Sequence, residues 1–263
     1  MPIPRLHLFE LEDQSWFPNI VRDLATDYLE FMETKLTLHE AVVPLLARAL
    51  RESGTTTVVD LCAGGGGPVV ALSQELETAG VLARFILTDK FPNVPALERL
   101  AHDHPRIDGY RDSVDATDVP PQLTGFRTVF NAFHHFRPED GRAVLRSAVK
   151  ARQPIGIFEI PERTIPIVIA TALLTPILVL LATPFIRPFR WSRLLFTYPL
   201  PLVPLTCFWD GFVSQLRAYT PTELHSLATS LGDVEYRWEA GRVGVKAAPG
   251  AHLTYLIGLP SRS

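Results

Sequence analysis

The chain has 263 residues, of which 47% are hydrophobic and 20% charged, as is typical of a globular protein that can bury a sizeable core. Its formal net charge of −3 offers no positive field to a polyanion, so nucleic acid is not expected as a partner. The two cysteines, Cys62 and Cys207, form no CxxC pair, so we expect neither a metal site nor a disulfide framework.

Residues 17–52, within the N-terminal segment 1–53, are predicted to be helical. The opening MPIPRLHLFELEDQSW carries acidic residues and lacks the apolar run of a secretory signal, which predicts a cytoplasmic protein. From Pro18 onward, apolar side chains recur at helical spacing. A second helix is predicted over about 38–51, and Gly54 ends it.

Short apolar strands alternate with helices from residue 54 to residue 163. The predicted strands are TTTVVDL, ARFILTD, IDGYRDSV, FRTVFNAF and PIGIFEI. This alternation predicts an α/β protein with a doubly wound, mostly parallel sheet and helices on both faces. A helix with a capping box from Thr220 to Glu223 follows later, and VEYRWEAG and HLTYLIGL read as a closing strand pair.

The stretch VVDLCAGGGGP, residues 58–68, carries the strongest local signal for a ligand. Glycines between a strand and a helix let a ligand approach the backbone, and the helix N-terminus offers free N–H groups. The alternative is a tight turn without a ligand. Asp60 before the turn would repel a pyrophosphate but can accept hydrogen bonds from an ammonium group. A Walker loop is excluded because no Gly-Lys-Ser/Thr follows.

Two further acidic residues follow the next strands along the chain. Asp89 in LTDKF follows the second strand, and Asp115 in SVDATDVP follows the third. Because the carboxyl ends of parallel strands meet at one edge of a sheet, both side chains are expected beside the glycine turn. There, Asp89 can accept hydrogen bonds from both hydroxyls of a ribose, and Asp115 can accept one from an adenine amino group.

Together with FNAFHHF after the fourth strand, these motifs resemble the class I S-adenosylmethionine-dependent methyltransferases over about residues 38–160 and 233–260. The resemblance implies a seven-stranded Rossmann-like sheet with an antiparallel last pair, and S-adenosyl-L-methionine as the cofactor. The cofactor-binding residues that it implies are Asp60, Cys62, Ala63, Gly64, Gly66, Asp89, Lys90, Asp115, Ala116 and Asn131. Cys62 departs from the family pattern, which usually has a glycine there.

Three residues near the ends of the fourth and fifth strands are candidates for catalysis. His134 and His135 can act as a general base or contact the substrate near the methyl group, or they pack and cap the loop. Glu159 in IFEIPER either contacts the substrate or binds Arg163. Methyl transfer needs little acid–base chemistry when the acceptor is already nucleophilic.

Five residues are candidates for substrate binding, and each also has a structural interpretation. Tyr28 lies on the N-terminal helical segment, where it either covers the cofactor or packs in the core. Asp210 and Arg217, seven residues apart on one helix face, form either a structural pair or a polar anchor in an apolar pocket. The candidate set is Tyr28, Trp209, Asp210, Arg217 and Tyr219.

The region 164–208 is strongly apolar and follows the fifth strand. Leaving it in water is not credible, because each large apolar side chain gains about 1.5–3 kcal/mol on burial. Three prolines, Pro166, Pro176 and Pro184, are expected to interrupt a membrane-spanning helix. Two interpretations remain: a hairpin in contact with the membrane interface, or a lid in water, packed over the active site and against a second copy in a homodimer.

The sequence therefore predicts four segments: an N-terminal lid (1–53), a cofactor-binding core (54–163), an apolar insertion (164–218) and a closing helix with a strand pair (219–263). The predicted function is transfer of a methyl group to a hydrophobic small molecule, in the cytoplasm or at the inner face of the membrane. The alternatives are a cyclase or decarboxylase on the same fold, and a membrane-associated binding protein without catalysis.

Overall fold

The computed structural model describes residues 3–232, 235–246, 248 and 250–261. The chain divides into two compact units. The first, called here the sheet unit, comprises Leu38–Ile160 and Thr220–Ser263; the second, called the helical unit, comprises Met1–Thr37 and Pro161–Tyr219. The helices are α1 Asn19–Lys35, α2 Val43–Ser53, α3 Val69–Thr78, α4 Val94–Asp103, α5 Pro138–Lys150, α6 Ile165–Ala182, α7 Trp191–Thr197, α8 Leu202–Arg217 and α9 Pro221–Thr229.

Seven strands form one sheet in the order β3-β2-β1-β4-β5-β7-β6. Their bounds are β1 Thr57–Leu61, β2 Arg84–Leu87, β3 Ile107–Gly109, β4 Phe126–Phe130, β5 Ile155–Glu159, β6 Tyr236–Gly244 and β7 His252–Pro260. β1 to β5 pair in parallel, whereas β7 is antiparallel to both β5 and β6. The predicted α/β sheet with an antiparallel last pair is confirmed. Val234, where the predicted closing pair begins, lies outside the described residues.

The central strands are buried because helices cover both faces of the sheet. Four of the five residues of β1 and all five of β5 are buried, as expected of parallel strands that read as continuous apolar runs. α2 contacts α3, and α5 contacts α9. As predicted, α2 ends at Gly54 in a left-handed conformation, and Thr220 and Glu223 form a capping box at the start of α9.

The helical unit has its own core. Apolar side chains of α1, α6 and α8 pack together with the segments that flank these helices. The cluster comprises Phe17, Val21, Leu24, Ala25, Tyr28, Val179, Ala182, Ile186, Val203 and Cys207. Two chain segments far apart in sequence therefore build one unit.

The expectation that three prolines interrupt the apolar helix is wrong. α6 is continuous over 18 residues, with Pro176 inside it. Pro166 lies in the first turn, where the backbone N–H has no partner within the helix, and Pro184 lies beyond its end. Pro176 removes one backbone N–H donor, and α6 continues through it.

The segment Ile165–Phe185 is long and apolar enough to cross a membrane, judged by length and composition alone. Its mean hydropathy is 2.6, and 17% of the window is buried. A core helix of a soluble protein passes the same test, but such a helix is mostly buried.

Candidate cofactor and active site

The carboxyl ends of the five parallel strands meet at one edge of the sheet unit. Asp60 lies near the end of β1, and Asp89 follows β2 by two residues. The backbone N–H of Val114 donates to the carbonyl of Asp89 at 2.9 Å, which brings the loop with Asp115 to the same edge. Asn131 follows β4, and Glu159 ends β5. The strand topology thus brings together the cofactor-binding and catalytic residues predicted from sequence.

The glycine turn combines one tightly packed glycine with one open glycine. Gly66 has a φ of 103°, a conformation that favours glycine, and a Cβ there would displace Cδ1 of Leu100. Gly64 has a φ of 54°, and a Cβ there would meet no described atom within 4 Å. The turn therefore leaves open space beside Gly64, where a ligand can approach the backbone. The turn is held to the sheet by Ala63, whose N–H donates to the Thr88 carbonyl at 2.9 Å.

Cys62 occupies the first position of this turn with a φ of 62°. This is the left-handed region that favours glycine, the residue usual at this position in the family that the sequence resembles. Burial, together with the nearby carboxylates of Asp89 and Asp60, raises the pKa of its thiol to about 12. The thiol is therefore protonated at neutral pH, which agrees with a small packed residue rather than a nucleophile.

Asp60 is a buried carboxyl group, with 3% of its surface exposed. Burial raises its pKa to about 8; the charge of Asp89 adds to the rise, and the hydrogen bond from Thr128 opposes it. The Thr128 hydroxyl donates to Asp60 Oδ1 at 2.8 Å. A cation bound next to Asp60 would favour the ionised form.

Asp89 links the glycine turn to the loop after β2. Its Oδ2 accepts the backbone N–H of Gly64 at 2.9 Å, and its Oδ1 accepts the backbone N–H of Phe91 at 2.8 Å. Each carboxylate oxygen can accept a second hydrogen bond, so the group keeps capacity for ligand hydroxyls. Asp89 therefore both orders the turn and faces the partly exposed edge of the sheet.

Asp115 is held by three hydrogen bonds. The ammonium of Lys90 donates to Oδ2 at 2.8 Å, and the backbone N–H and hydroxyl of Thr117 donate to Oδ1 at 2.9 and 2.6 Å. The hydrogen bond from Lys90 is the main reason that the pKa of Asp115 falls to about 2, with those from Thr117 next. Asp115 therefore stays ionised, and an adenine amino group would share it with Lys90. The neighbouring Ala116 is buried.

Asn131 has a structural role that the sequence did not indicate. Its φ of 48° is left-handed, a conformation that asparagine adopts more readily than most residues. Its side-chain oxygen accepts the backbone N–H of Ile160 at 2.8 Å, which joins the ends of β4 and β5. Its predicted contact with the cofactor stays a prediction.

His134 and Glu159 form a buried pair. His134 Nδ1 lies 2.6 Å from Glu159 Oε2, and the side chains are 4% and 2% exposed. Glu159 also accepts the backbone N–H groups of Phe133 and His134, so it fixes the turn that carries both histidines. The ring of His135 lies beside that of His134, with 4.4 Å between centroids. Arg163, the alternative partner of Glu159, donates to the carbonyl of Ala218.

The five residues predicted to bind substrate lie in the helical unit, where each has a structural contact. Tyr28 is buried in the core of that unit. Trp209 donates to the carbonyl of Phe9 at 3.0 Å, and Tyr219 lies under the guanidinium of Arg5.

Asp210 and Arg217 each bind the N-terminal segment. Asp210 accepts the backbone N–H groups of Leu11 and Glu12 at 2.6 and 3.0 Å. Arg217 donates to the carbonyl of Leu8 at 2.7 Å. Both side chains fasten the N-terminal segment to α8, and their part in substrate binding stays a prediction.

Two residues of this edge were missed in the sequence. Thr128 binds Asp60 from the neighbouring strand, and its register position opposite Asp60 is visible only once β1 and β4 are paired. Phe91 exposes 83% of its surface directly after Lys90. An aromatic residue two positions after Asp89, near a strand end, is a signal that the sequence did contain.

Similar folds are found among solved methyltransferases. The plantazolicin methyltransferase BpumL in complex with SAH is 12% identical over 96% of this chain and 94% of its own, with a TM-score of 0.60. The same enzyme with a pentazolic desmethylPZN analog and SAH is 13% identical over 96% of this chain and 97% of its own, with a TM-score of 0.57. Human N-acetylserotonin methyltransferase in complex with SAM is 15% identical over 95% of this chain and 60% of its own, with a TM-score of 0.50.

At these identities the likeness shows the fold. No family model matches the sequence, and no curated protein matches it. The chain has the fold of the class I S-adenosylmethionine-dependent methyltransferases, as its motifs indicated.

Proposed function

We propose that the chain is a methyltransferase that uses S-adenosyl-L-methionine to methylate an apolar small molecule. The observation that carries this proposal is the set of three carboxyl groups, Asp60, Asp89 and Asp115, gathered at one sheet edge around the open turn at Gly64. Asp89 orders the turn, and each of its oxygens can still accept a hydrogen bond from a ligand.

The chemistry of these residues fits the cofactor. Asp60 offers a carboxylate to an ammonium group, and Asp89 offers acceptors to the ribose hydroxyls. Asp115 offers one to the adenine amino group, and the exposed ring of Phe91 offers a flat apolar surface to the adenine ring. The open space at Gly64 allows the backbone approach that such a ligand requires.

When bound, the cofactor supplies an electrophilic methyl group on a sulfonium. The chain's residues then have the tasks of positioning the acceptor and excluding water, which can account for most of the rate. In the tautomer with the proton on Nδ1, that N–H donates a hydrogen bond to Glu159 Oε2, and Nε2 is the basic nitrogen. His134 can thus accept a proton from an acceptor hydroxyl, with Glu159 as the residue that orients it.

The proposed acceptor is apolar because of the segment that follows β5. Methyltransferases of the class that the sequence resembles often carry extra elements there that shape the acceptor site. In this chain the segment 164–208 has no acidic residue and is rich in large apolar side chains. We expect such a protein to act in the cytoplasm on a compound with low water solubility.

Isothermal titration calorimetry with S-adenosylmethionine and with S-adenosylhomocysteine tests the cofactor assignment. Asp89→Ala removes hydrogen bonds to a charged group, each contributing about 1.5–3 kcal/mol, so we expect Kd to rise by at least about tenfold. Asp103→Ala is the matched control, because Asp103 is an exposed acid at the end of α4, away from the carboxyl ends of the strands.

The outcomes separate the proposed function from its alternatives. Absence of binding by the wild-type chain would overturn the enzyme assignment. Equal affinities of Asp89→Ala and wild type would overturn the ribose assignment alone. Mass spectrometry of products from apolar acceptors decides the reaction, because methylation adds one methyl group whereas cyclisation or decarboxylation does not.

A further inference from the structure

α6 presents its small residues to the protein and its large apolar residues to solvent. The residues that face inward recur at helical spacing: Val168, Thr171, Ala172, Thr175, Val179 and Ala182. They pack against α8, where a Cβ on Gly211 would lie 3.4 Å from Cγ2 of Thr171. On the outer side, Leu173 and Leu181 expose 64% and 63% of their surfaces. This is the reverse of a surface helix of a soluble protein, and it matches helices that pack through small residues in lipid.

α1 provides an internal contrast in the same unit. It buries Val21, Leu24 and Tyr28 and exposes the acidic residues Asp23 and Glu30. This is the ordinary pattern of a helix that faces water. α1 exposes two large apolar side chains, Ile20 and Leu29, at 47% and 46%, whereas α6 exposes eight and carries no charged residue.

The segment after α6 carries residues that suit the headgroup region of a bilayer. Phe185, Phe189 and Trp191 expose 68%, 52% and 78% of their surfaces. Arg187 and Arg190 are exposed beside them. Aromatic rings and arginines are enriched at this level of membranes, where the rings are partly apolar and the cations meet lipid phosphates.

The charge pattern favours an anionic lipid surface over other partners. No acidic residue lies between Glu162 and Asp210 in the sequence. Arg190 lies 3.1 Å from Asp27 Oδ2 of α1, whereas Arg187 donates to the carbonyl of Pro184. A second copy of the chain would bring the same arginines to this face without an acid from this segment. A span across the bilayer is disfavoured, because α8, the partner of α6, carries Asp210 and Arg217 in its C-terminal half.

We propose that the outer face of α6, together with residues 185–191, docks on an anionic lipid bilayer, with α6 in the plane of the boundary between headgroups and acyl chains. Exposed apolar groups enter this boundary, and Arg187 contacts lipid phosphates, while Arg190 keeps its ion pair with Asp27. The proposal goes beyond the proposed function, since it requires no methyl transfer. Docking places the chain at a bilayer, where it can bind a compound that is poorly soluble in water.

Cosedimentation of the full chain with vesicles tests the proposal. We expect binding to vesicles of phosphatidylcholine mixed with phosphatidylglycerol, and weaker binding to phosphatidylcholine alone or at high salt. Leu173→Glu and Leu181→Glu are each expected to lower the partition coefficient roughly tenfold or more. Arg187→Glu should mainly reduce the preference for the anionic vesicles. Leu82→Glu is the control, because Leu82 exposes 62% of its surface in the sheet unit.

Circular dichroism and calorimetry with S-adenosylhomocysteine show whether each variant is folded and whether the cofactor site is intact. Because vesicle binding is measured without an acceptor, its result is independent of the proposed reaction. Failure of the wild-type chain to bind either vesicle would overturn the proposal, as would equal binding by Leu173→Glu. Light scattering that shows a dimer broken by Leu173→Glu, with no vesicle binding, would assign this face to a second copy instead.

Discussion

Cys62 occupies a backbone conformation that favours glycine. With a φ of 62°, it holds the first position of the turn that continues to Gly64 and Gly66. The sequence showed that a cysteine replaces the usual glycine there, but it could not show that the backbone keeps the glycine conformation. The turn is therefore strained at one residue. A substitution of Cys62 can remove this strain and leave Asp60, Asp89 and Asp115 unchanged.

We expect Cys62→Gly to be at least as stable as the wild type and Cys62→Val to be less stable. The left-handed conformation costs a non-glycine residue about 1–2 kcal/mol. The greater freedom of glycine in the unfolded chain offsets roughly 0.4–1 kcal/mol of that gain, and a β-branched residue adopts this conformation least readily. Urea unfolding of the three proteins measures the difference. A loss of stability in Cys62→Gly would mean that the thiol contributes more through packing than the strain removes.

Several side-chain partners could not be predicted from the sequence. The strand pattern placed Asp60, Asp89 and Asp115 at one edge because carboxyl ends of parallel strands meet there. It did not show that Thr128 binds Asp60 or that Asn131 joins β4 to β5, since such contacts depend on register and on side-chain rotamers. Residue type and strand position predict where a site lies, whereas the hydrogen bonds within the site can be identified only in the folded structure.

At the scale of elements, the sequence was sufficient to predict the length and apolarity of α6 but not its packing. The length and apolarity of the segment were evident, but the effect of Pro176 was not, because a proline inside a helix removes one hydrogen bond that packing can offset. The direction of its small residues toward Gly211 was not predicted either, since α6 is apolar on all sides and its sequence defines no single buried face.

α8 holds the N-terminal segment through a buried arginine. Arg217 Nε donates to the carbonyl of Leu8 at 2.7 Å. Nη1 of the same arginine lies 2.9 Å from Asp13 Oδ2 and 3.2 Å from Glu10 Oε1. The side chains of Arg217 and Glu10 are each 4% exposed. Removing the arginine takes a cation away from the buried carboxyl group of Glu10, so the position is sensitive to substitution.

We expect Arg217→Met to lower the free energy of unfolding by about 3–5 kcal/mol and to release the N-terminal segment. Arg237→Met is the control, because the exposed pair of Arg237 with Glu52 contributes at most about 1 kcal/mol. Chemical denaturation and hydrogen exchange of residues 5–14 provide the measurements. If Arg217→Met keeps both stability and protection but loses affinity for the acceptor, Arg217 is a substrate-binding residue, as the sequence suggested.

At the scale of the whole molecule, one buried acid links stability to pH. Burial raises the pKa of Asp60 to about 8, far above its ordinary value of 3.8. Between these two values the folded chain binds a proton that the unfolded chain releases. Asp60 therefore contributes most to stability at low pH, and this contribution is lost as the pH rises from about 4 through 8. A bound cation would reverse part of this loss by favouring the carboxylate.

We expect the Tm of Asp60→Asn, relative to that of the wild type, to increase between pH 5 and pH 9, since asparagine keeps an acceptor for Thr128 and does not ionise. Asp112→Asn, a change at an exposed acid in the loop before Asp115, should show no such trend. S-adenosylhomocysteine should raise the Tm of the wild type more at pH 8 than at pH 6, because its ammonium group binds the ionised carboxyl group. The increase should be small and independent of pH in Asp60→Asn. Parallel Tm curves for Asp60→Asn and wild type across this range would contradict a raised pKa, and an equal ligand effect in both would remove Asp60 from the cofactor site.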